Sequence, residues 1–259
     1  MSWWEGIILG LIQGLTEFLP VSSSGHLEIA KSLFGVNPES SFYFTVAVHG
    51  ATVLSTIVVF RKEIGELFAG FFRFRMNDET SYILKILISM VPVGFVGLLY
   101  KEKVEALYNG YLVFVGIMLL ITSALLATAH FIKKGNRNIG YLDALIIGMA
   151  QAIAVIPGIS RSGATIATGL IIGNRKDEIA RFSFLMVLIP VIGANFLEIV
   201  SANGGETGNG IMAIILGSIA AFFSGYLACS LMIGLVRKSK LIWFSVYCAG
   251  AGLLSILFG

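Results

Sequence analysis

The chain has 259 residues, of which 56% are apolar and only 13% are charged, and its net charge is +3. Soluble domains carry about 25% charged residues, so this composition argues strongly against a soluble globular protein. It also excludes a disordered chain, because so apolar a sequence is not solvated by water. The small positive charge is too scattered to predict nucleic-acid binding. We therefore predict a polytopic helical membrane protein.

The first predicted element is an apolar segment that is interrupted near its centre. Residues Gly6–Thr16 and Phe18–Leu27 are separated by Glu17, and the second part contains Pro20 and a Ser-Ser-Ser-Gly run at 22–25. Each part is too short to cross about 30 Å of hydrocarbon. Because broken backbone at membrane depth must be covered by protein or water, we predict a re-entrant helical hairpin.

Longer apolar runs follow along the chain, together with a second interrupted segment. That segment consists of Ala144–Ile156 and Ser162–Gly173 and is broken at Pro157, Gly158 and Arg161, so it is predicted to be a second re-entrant hairpin. Six runs are long enough to span a membrane. They are Phe42–Phe60, Tyr82–Tyr100, Tyr111–Ile132, Phe182–Val200, Ile211–Val236 and Leu241–Phe258.

The two interrupted segments match each other at a constant offset of 138 residues. The identities are Gly10, Gln13, Ser22, Ser24, Gly25 and Gly35 with Gly148, Gln151, Ser160, Ser162, Gly163 and Gly173. Each half then holds one hairpin and three spans. Because an odd number of crossings leaves the chain on the opposite side of the membrane, the second half must enter the membrane inverted relative to the first. We predict one membrane domain, residues 1–259, with inverted repeats at about 1–135 and 139–259. If the loop at 61–81 is cytoplasmic, so are residues 133–140, 173–178 and 237–240, whereas residues 204–210 lie outside. Twelve Lys and Arg residues then face the cytoplasm and three face outside, which agrees with the positive-inside rule.

Polar side chains in the two breaks are the candidate functional residues, because such groups are costly inside a membrane. Ser23 lies three residues before His26, and a hydroxyl beside an imidazole is a minimal activated nucleophile. Arg161 lies in the second break, where a guanidinium beside free helix amides makes a site for phosphate oxygens. Structural alternatives stay open: the serines could cap helices, His26 could be structural, and Arg161 could neutralise Glu17 as an ion pair.

Two stretches resemble the signatures of a known family. Residues 13–26, Gln-Gly-Leu-Thr-Glu-Phe-Leu-Pro-Val-Ser-Ser-Ser-Gly-His, and residues 157–165, Pro-Gly-Ile-Ser-Arg-Ser-Gly-Ala-Thr, look like the two motifs of the bacterial undecaprenyl-diphosphate phosphatases of the bacitracin-resistance type. The resemblance implies removal of the terminal phosphate from a C55 isoprenyl diphosphate, which regenerates the lipid carrier for cell-wall synthesis. It also implies a multi-pass protein of the bacterial plasma (inner) membrane and a divalent cation, Mg²⁺ or Ca²⁺.

The resemblance also implies which residues form the site. By position in the motifs, Glu17, Ser23, His26 and Arg161 are the predicted catalytic residues, and Glu17 is the predicted metal ligand. Gln13 stands at the family's other acidic position, which weakens any scheme with two carboxylates on one metal, because an amide oxygen is a poorer ligand for a hard cation. The predicted substrate-binding residues are Gln13, Ser22, Ser24, Gly25, Ser160, Ser162, Gly163 and Thr165.

We assign a role to each of the four catalytic candidates. Arg161 clamps the phosphoryl group, Ser23 is the nucleophile with His26 as its base and later proton donor, and Glu17 holds the metal or activates water. In rival schemes His26 is the nucleophile, or water activated by Glu17 attacks directly. The alternative function from another class is a lipid-phosphate transporter that uses the same inverted-repeat site. The expected partners are a polyprenyl diphosphate and the bilayer, and a homodimer is compatible with them.

Overall fold

The computed structural model describes residues 1–36, 42–100, 103–104, 106–107, 111–132, 135–201, 210–237 and 240–259. These residues form eleven helices, and the β-type pairing among them is one isolated bridge between Arg137 and Asn174. In chain order the helices are α1 (Trp3–Phe18), α2 (Ser23–Phe34), α3 (Phe42–Val59), α4 (Arg61–Phe71), α5 (Asp78–Leu99), α6 (Leu112–Phe131), α7 (Tyr141–Ile153), α8 (Arg161–Ile171), α9 (Lys176–Ser201), α10 (Ile211–Arg237) and α11 (Leu241–Phe258).

Six of these helices are long and apolar enough to cross a membrane, namely α3, α5, α6, α9, α10 and α11. The prediction of six spans in an all-helical, multi-pass membrane protein is therefore confirmed. Two spans begin before their apolar runs, α5 at Asp78 and α9 at Lys176. Polar residues can form the first turn of a helix when a cap or acidic side chains stabilise it. Asn77 caps α5 by accepting a hydrogen bond from the Thr80 amide. Acidic residues lie in the first turns of both α5 and α9.

Helix α4 is absent from the sequence-based prediction, which left the region after residue 60 as a loop. Its charged residues interrupt the apolar runs by which the spans were recognised. The helix ends near several exposed aromatic residues, among them Phe68, Phe72 and Phe74, and basic residues such as Arg73 lie beside them. An amphipathic helix of this kind is typical of a segment that lies in the plane of the membrane interface.

The two interrupted segments are each resolved as a pair of short helices with a break between them. The first break separates α1 from α2, and the second separates α7 from α8; the four helices have 16, 12, 13 and 11 residues. Ser22 caps α2 by accepting a hydrogen bond from the Gly25 amide, and Ser160 caps α8 in the same way from Gly163. The capping role that we kept as an alternative is therefore confirmed for these two serines.

Glycine allows both broken segments to approach a long helix closely. Helix α1 packs against α10, and helix α7 packs against α5. A Cβ atom added at Gly10 would lie 2.1 Å from the carbonyl oxygen of Gly217, and one at Gly148 would lie 2.2 Å from that of Ser89. No side chain fits at these distances, so the two glycines permit backbone contact, as small residues do in membrane helix packing. This packing fixes the position of each break inside the bundle.

Candidate active site

The two breaks contact each other directly, although they lie about 140 residues apart in the sequence. The Ser162 hydroxyl of the second break donates a hydrogen bond to the Leu19 carbonyl of the first, at 3.2 Å. A Cβ atom added at Gly25 would lie 3.2 Å from the Cα atom of Gly158. Residues from both halves of the chain therefore form one cluster, as the sequence patterns led us to expect.

Glu17 is the centre of this cluster. Its Oε2 atom accepts hydrogen bonds from the Ser23 hydroxyl at 2.6 Å and from the Gln13 amide nitrogen at 2.9 Å. Its Oε1 atom lies 3.4 Å from Nη2 of Arg161. The Glu17 side chain is 11% exposed and that of Arg161 is 29% exposed. A carboxylate this buried needs such partners, so the ion pair that we considered as an alternative role for Arg161 is present.

The hydrogen bond from Gln13 to Glu17 leaves the side-chain oxygen of Gln13 without a partner. Because both Glu17 oxygens are acceptors, the Gln13 amide must turn its nitrogen toward them. Its other end, Oε1, is buried and has no hydrogen-bond partner within the described ranges. A buried amide oxygen beside a carboxylate is an arrangement that suits a cation or the donor groups of a ligand.

His26 has hydrogen bonds on both ring nitrogens, and neither is to Ser23. Its Nδ1 atom lies 2.8 Å from the Ser22 carbonyl oxygen, and its Nε2 atom lies 2.8 Å from the Tyr247 hydroxyl. Since a carbonyl only accepts, Nδ1 carries a proton, and Nε2 of the neutral ring accepts from Tyr247. The expected hydrogen bond between Ser23 and His26 is thus absent among the described residues. The Ser23 hydroxyl instead reaches Glu17 across the break, and Nε2 of His26 reaches Tyr247 on another helix.

The second break is held by Thr122 of α6, which the sequence analysis did not identify. Its hydroxyl accepts from the Ser160 amide at 3.0 Å, and its proton is shared between the Met118 carbonyl of its own helix at 3.1 Å and the Gly158 carbonyl of the break at 3.3 Å. Beyond the break, the Thr165 hydroxyl donates to the Arg161 carbonyl and contacts the Ser183 hydroxyl. These bonds fix the backbone that carries Arg161 at the first position of α8.

The predicted substrate-binding residues lie in the breaks or in the first turns of α2 and α8, except Gln13, which lies on α1 one turn before Glu17. Ser22 and Ser24 have their hydroxyls 3.3 Å apart, and Ser160 and Ser162 show the same separation. Ser22 and Ser160 are committed to capping, and Ser162 also donates to the Leu19 carbonyl.

A small cavity opens beside Glu17 and Arg161, between α3, α8 and α9. Three hydroxyl side chains that we did not predict line it: Thr52, Thr56 and Ser183. No signal in the sequence marks them, because isolated hydroxyls in an apolar run resemble ordinary residues of a membrane helix. The rest of the lining is mainly apolar, with Phe18, Val53, Phe184, Val187, Leu188 and Val191.

The arrangement combines a hydroxyl bonded to a carboxylate, an adjacent guanidinium, and the first amides of two helices. A hydroxyl bonded to a base is an activated nucleophile, and a guanidinium beside helix N-termini binds phosphoryl oxygens. The fold and the site together define a polytopic helical membrane protein in which a hydroxyl, a carboxylate and a guanidinium meet where two helical segments are broken. The chain belongs to the family of the bacitracin resistance protein BacA, whose pattern matches residues 6–254.

Curated relatives cover nearly the whole chain. The undecaprenyl-diphosphatase of Bacteroides fragilis is 52% identical over 99% of this chain and 98% of its own length. That of Parabacteroides distasonis is also 52% identical, with the same shares covered. A more distant undecaprenyl-diphosphatase, from Alkaliphilus metalliredigens, is 36% identical over 100% of this chain and 99% of its own. The similarity thus extends through both breaks and all six spans.

Proposed function

We propose that this protein is a membrane phosphatase that hydrolyses undecaprenyl diphosphate to undecaprenyl phosphate and inorganic phosphate. This reaction recycles the lipid carrier for cell-wall synthesis and confers resistance to bacitracin. The observation that carries the proposal is the cluster of Ser23, Glu17 and Arg161, assembled from both breaks, and the relatives' names agree with it. The partners that we propose are the diphosphate lipid, the bacterial plasma membrane and a second copy of the chain.

In the first step of the proposed mechanism, Ser23 attacks the terminal phosphorus of the substrate. The Ser23 proton passes to Glu17, whose Oε2 atom already accepts it at 2.6 Å. The bond between Oγ and phosphorus forms, the anhydride bond breaks, and undecaprenyl phosphate leaves. Arg161 moves its guanidinium from Glu17 to the phosphoryl oxygens, where two parallel hydrogen bonds stabilise the developing charge. Glu17 thereby replaces His26 as the base that we first assigned to Ser23.

In the second step, water attacks the phosphoserine. The oxygen of water bonds to phosphorus, the bond from phosphorus to Ser23 breaks, and Glu17 returns its proton to the serine oxygen. His26 receives the proton of the water at Nε2, the nitrogen that the Ser22 carbonyl leaves unprotonated. The products are inorganic phosphate and the original serine, and His26 then releases its proton to solvent.

The divalent cation that the family resemblance implies fits two of these residues. Among the described residues no three His, Cys, Asp or Glu side chains are grouped to hold a metal, so a cage built only from such side chains is not present there. Mg²⁺ is commonly held by one or two carboxylates together with substrate phosphates and waters. Glu17 and the unpartnered Oε1 of Gln13 would hold it, and when bound it neutralises charge on the diphosphate.

We also propose that the two breaks are re-entrant hairpins of an inverted repeat, residues 1–135 and 139–259. Corresponding serines cap α2 and α8 at the same offset of 138. Corresponding helices also pack alike, since α1 lies against α10 as α7 lies against α5. Both observations support a two-fold relation that places each break opposite the other, the usual position of a site in such proteins.

The proposed topology predicts which loops face the cytoplasm. In a variant without Cys229 and Cys248, both of which are buried, a cysteine at Asn136 should react with a membrane-impermeant maleimide only after the cells are opened. Ser32 lies in the last turn of α2 and is exposed, and the topology places this end of the first hairpin outside. A cysteine at Ser32 should therefore react in intact cells. Outward labelling at Asn136 would contradict the topology. Two parts of this topology prediction lie outside the described residues. They are the predicted outer loop at 204–210, except Gly210, and the basic residues Lys133 and Lys134.

Phosphate release by the purified protein tests the function itself. In detergent with Mg²⁺ or Ca²⁺, the protein should release one inorganic phosphate from each undecaprenyl diphosphate and leave the monophosphate lipid. A transporter or a structural scaffold would leave the diphosphate intact. If a folded preparation releases no phosphate with either cation, the phosphatase proposal is wrong.

A further inference from the structure

Tyr247 of α11 contacts His26 of the candidate site and takes no part in the two steps of the proposed mechanism. Its hydroxyl lies 2.8 Å from Nε2 of His26. The two rings are also stacked, with centroids 5.5 Å apart and planes 12° from parallel. The residues are 221 positions apart in the chain, so this contact depends on how α11 is placed against the first break.

Helix α11 is fixed in that place by contacts on both sides of Tyr247. Ser245 and Ser123 of α6 exchange hydrogen bonds between hydroxyl and carbonyl groups in both directions, at 2.7 and 2.8 Å. On the other side, the Cys248 thiol donates to the Pro20 carbonyl of the first break at 3.5 Å. The position of α11 relative to the first break is therefore set by residues two positions before and one position after Tyr247. These contacts hold the Tyr247 hydroxyl next to His26.

The hydrogen bond acts on the nitrogen that matters for catalysis. The Ser22 carbonyl holds the proton on Nδ1, so Nε2 is the basic atom of the neutral ring. The Tyr247 hydroxyl donates to that atom and occupies its single lone pair, while the stacked ring limits rotation of the imidazole. A proton of water therefore reaches Nε2 through this hydroxyl: the Tyr247 oxygen accepts it as the hydroxyl passes its own proton to the ring.

We propose that Tyr247 holds His26 in the tautomer and orientation needed for the second step and relays the proton of water to its Nε2 atom. This inference rests on the proposed phosphatase function. Tyr247 contributes through His26 and does not bind the phosphoryl group. Its removal therefore lowers turnover and leaves substrate binding unchanged.

The test begins with Tyr247→Phe, which keeps the stacked ring and removes only the hydroxyl. We expect kcat for undecaprenyl diphosphate to fall about 3- to 10-fold, the effect of one lost hydrogen bond, with KM and the melting temperature in detergent unchanged. Tyr226→Phe on α10 is the matched control, since that tyrosine is exposed to a similar extent, and it should keep wild-type turnover. Rates are expressed per folded protein, measured by size-exclusion chromatography.

A double-mutant cycle with His26→Ala then separates positioning from general structural damage. If Tyr247 acts through His26, Tyr247→Phe produces no further loss in the His26→Ala background. An equal loss in both backgrounds, or an unchanged kcat in the single variant, would overturn the inference while the phosphatase function stands. Wild-type protein that releases no phosphate would instead overturn the function on which the inference rests.

Discussion

Replacing Ser23 by alanine should lower the rate of phosphate release by about a thousandfold or more. In the proposed mechanism the Ser23 hydroxyl forms the covalent bond to phosphorus, so its loss removes that pathway and does not merely weaken it. The hydroxyl donates to Glu17 at 2.6 Å, but Glu17 keeps Gln13 and Arg161 as partners. The variant should therefore fold, and its turnover should be measured with saturating undecaprenyl diphosphate.

Ser32→Ala is the matched control for this experiment. Ser32 lies on the same helix, α2, and is exposed, so the same change of side chain there should leave turnover at the wild-type level. A Ser23→Ala protein that retains more than about a tenth of wild-type turnover would rule out Ser23 as the nucleophile. Attack by His26 or by water would then have to be considered in its place.

Replacing Arg161 by lysine should lower turnover by about 10- to 150-fold. A guanidinium makes two parallel hydrogen bonds to phosphoryl oxygens, and an ammonium on a differently directed stem does not replace both. The loss of one charge-assisted bond costs about 1.5–3 kcal/mol, which converts to this range of rates. Because lysine keeps the positive charge beside Glu17, the ion pair and the stability of the protein should largely survive.

Arg161→Ala, compared with Arg161→Lys, separates the observed ion pair with Glu17 from the proposed phosphate clamp. Removal of the charge leaves the buried Glu17 carboxylate without its ionic partner, so this variant should lose both turnover and stability. Arg175→Lys is the matched control, since Arg175 forms an exposed pair with Asp177, and it should change neither quantity. If Arg161→Lys keeps near-wild-type turnover, or if turnover falls only in step with the melting temperature, Arg161 is structural and the phosphate clamp is wrong.

Much of the fold could be predicted because a membrane imposes simple rules on the sequence. Six runs of sufficient length appear as six long helices, and each interrupted segment contains a real break, at residues 19–22 and at 154–160. The first break falls later than predicted, because Glu17 still belongs to the last turn of α1, and Arg161 is the first residue of α8. Helix α4 was missed because its charges hide it from a search for apolar runs. The starts of α5 and α9 were placed too late, since caps and acidic first turns lie outside the apolar runs.

The partners within the site could not be predicted in the same way. Sequence spacing placed Ser23 near His26, but the hydroxyl is bonded to Glu17 across the break, and the imidazole is bonded to Tyr247 of another helix. Thr122 likewise holds the second break from 38 positions away. Such contacts depend on how distant helices pack, and local periodicity carries no information about them. The residue types of the site follow from the sequence, whereas their pairings follow from the fold.

The stereochemical course at phosphorus tests the central claim most directly. The substrate is undecaprenyl diphosphate whose terminal phosphoryl group is made chiral with sulfur and an oxygen isotope, and the hydrolysis is run in water that contains a third oxygen isotope. Two in-line displacements, first by Ser23 and then by water, predict that the released thiophosphate retains its configuration. Inversion would show a single attack by water and would contradict Ser23 as the nucleophile.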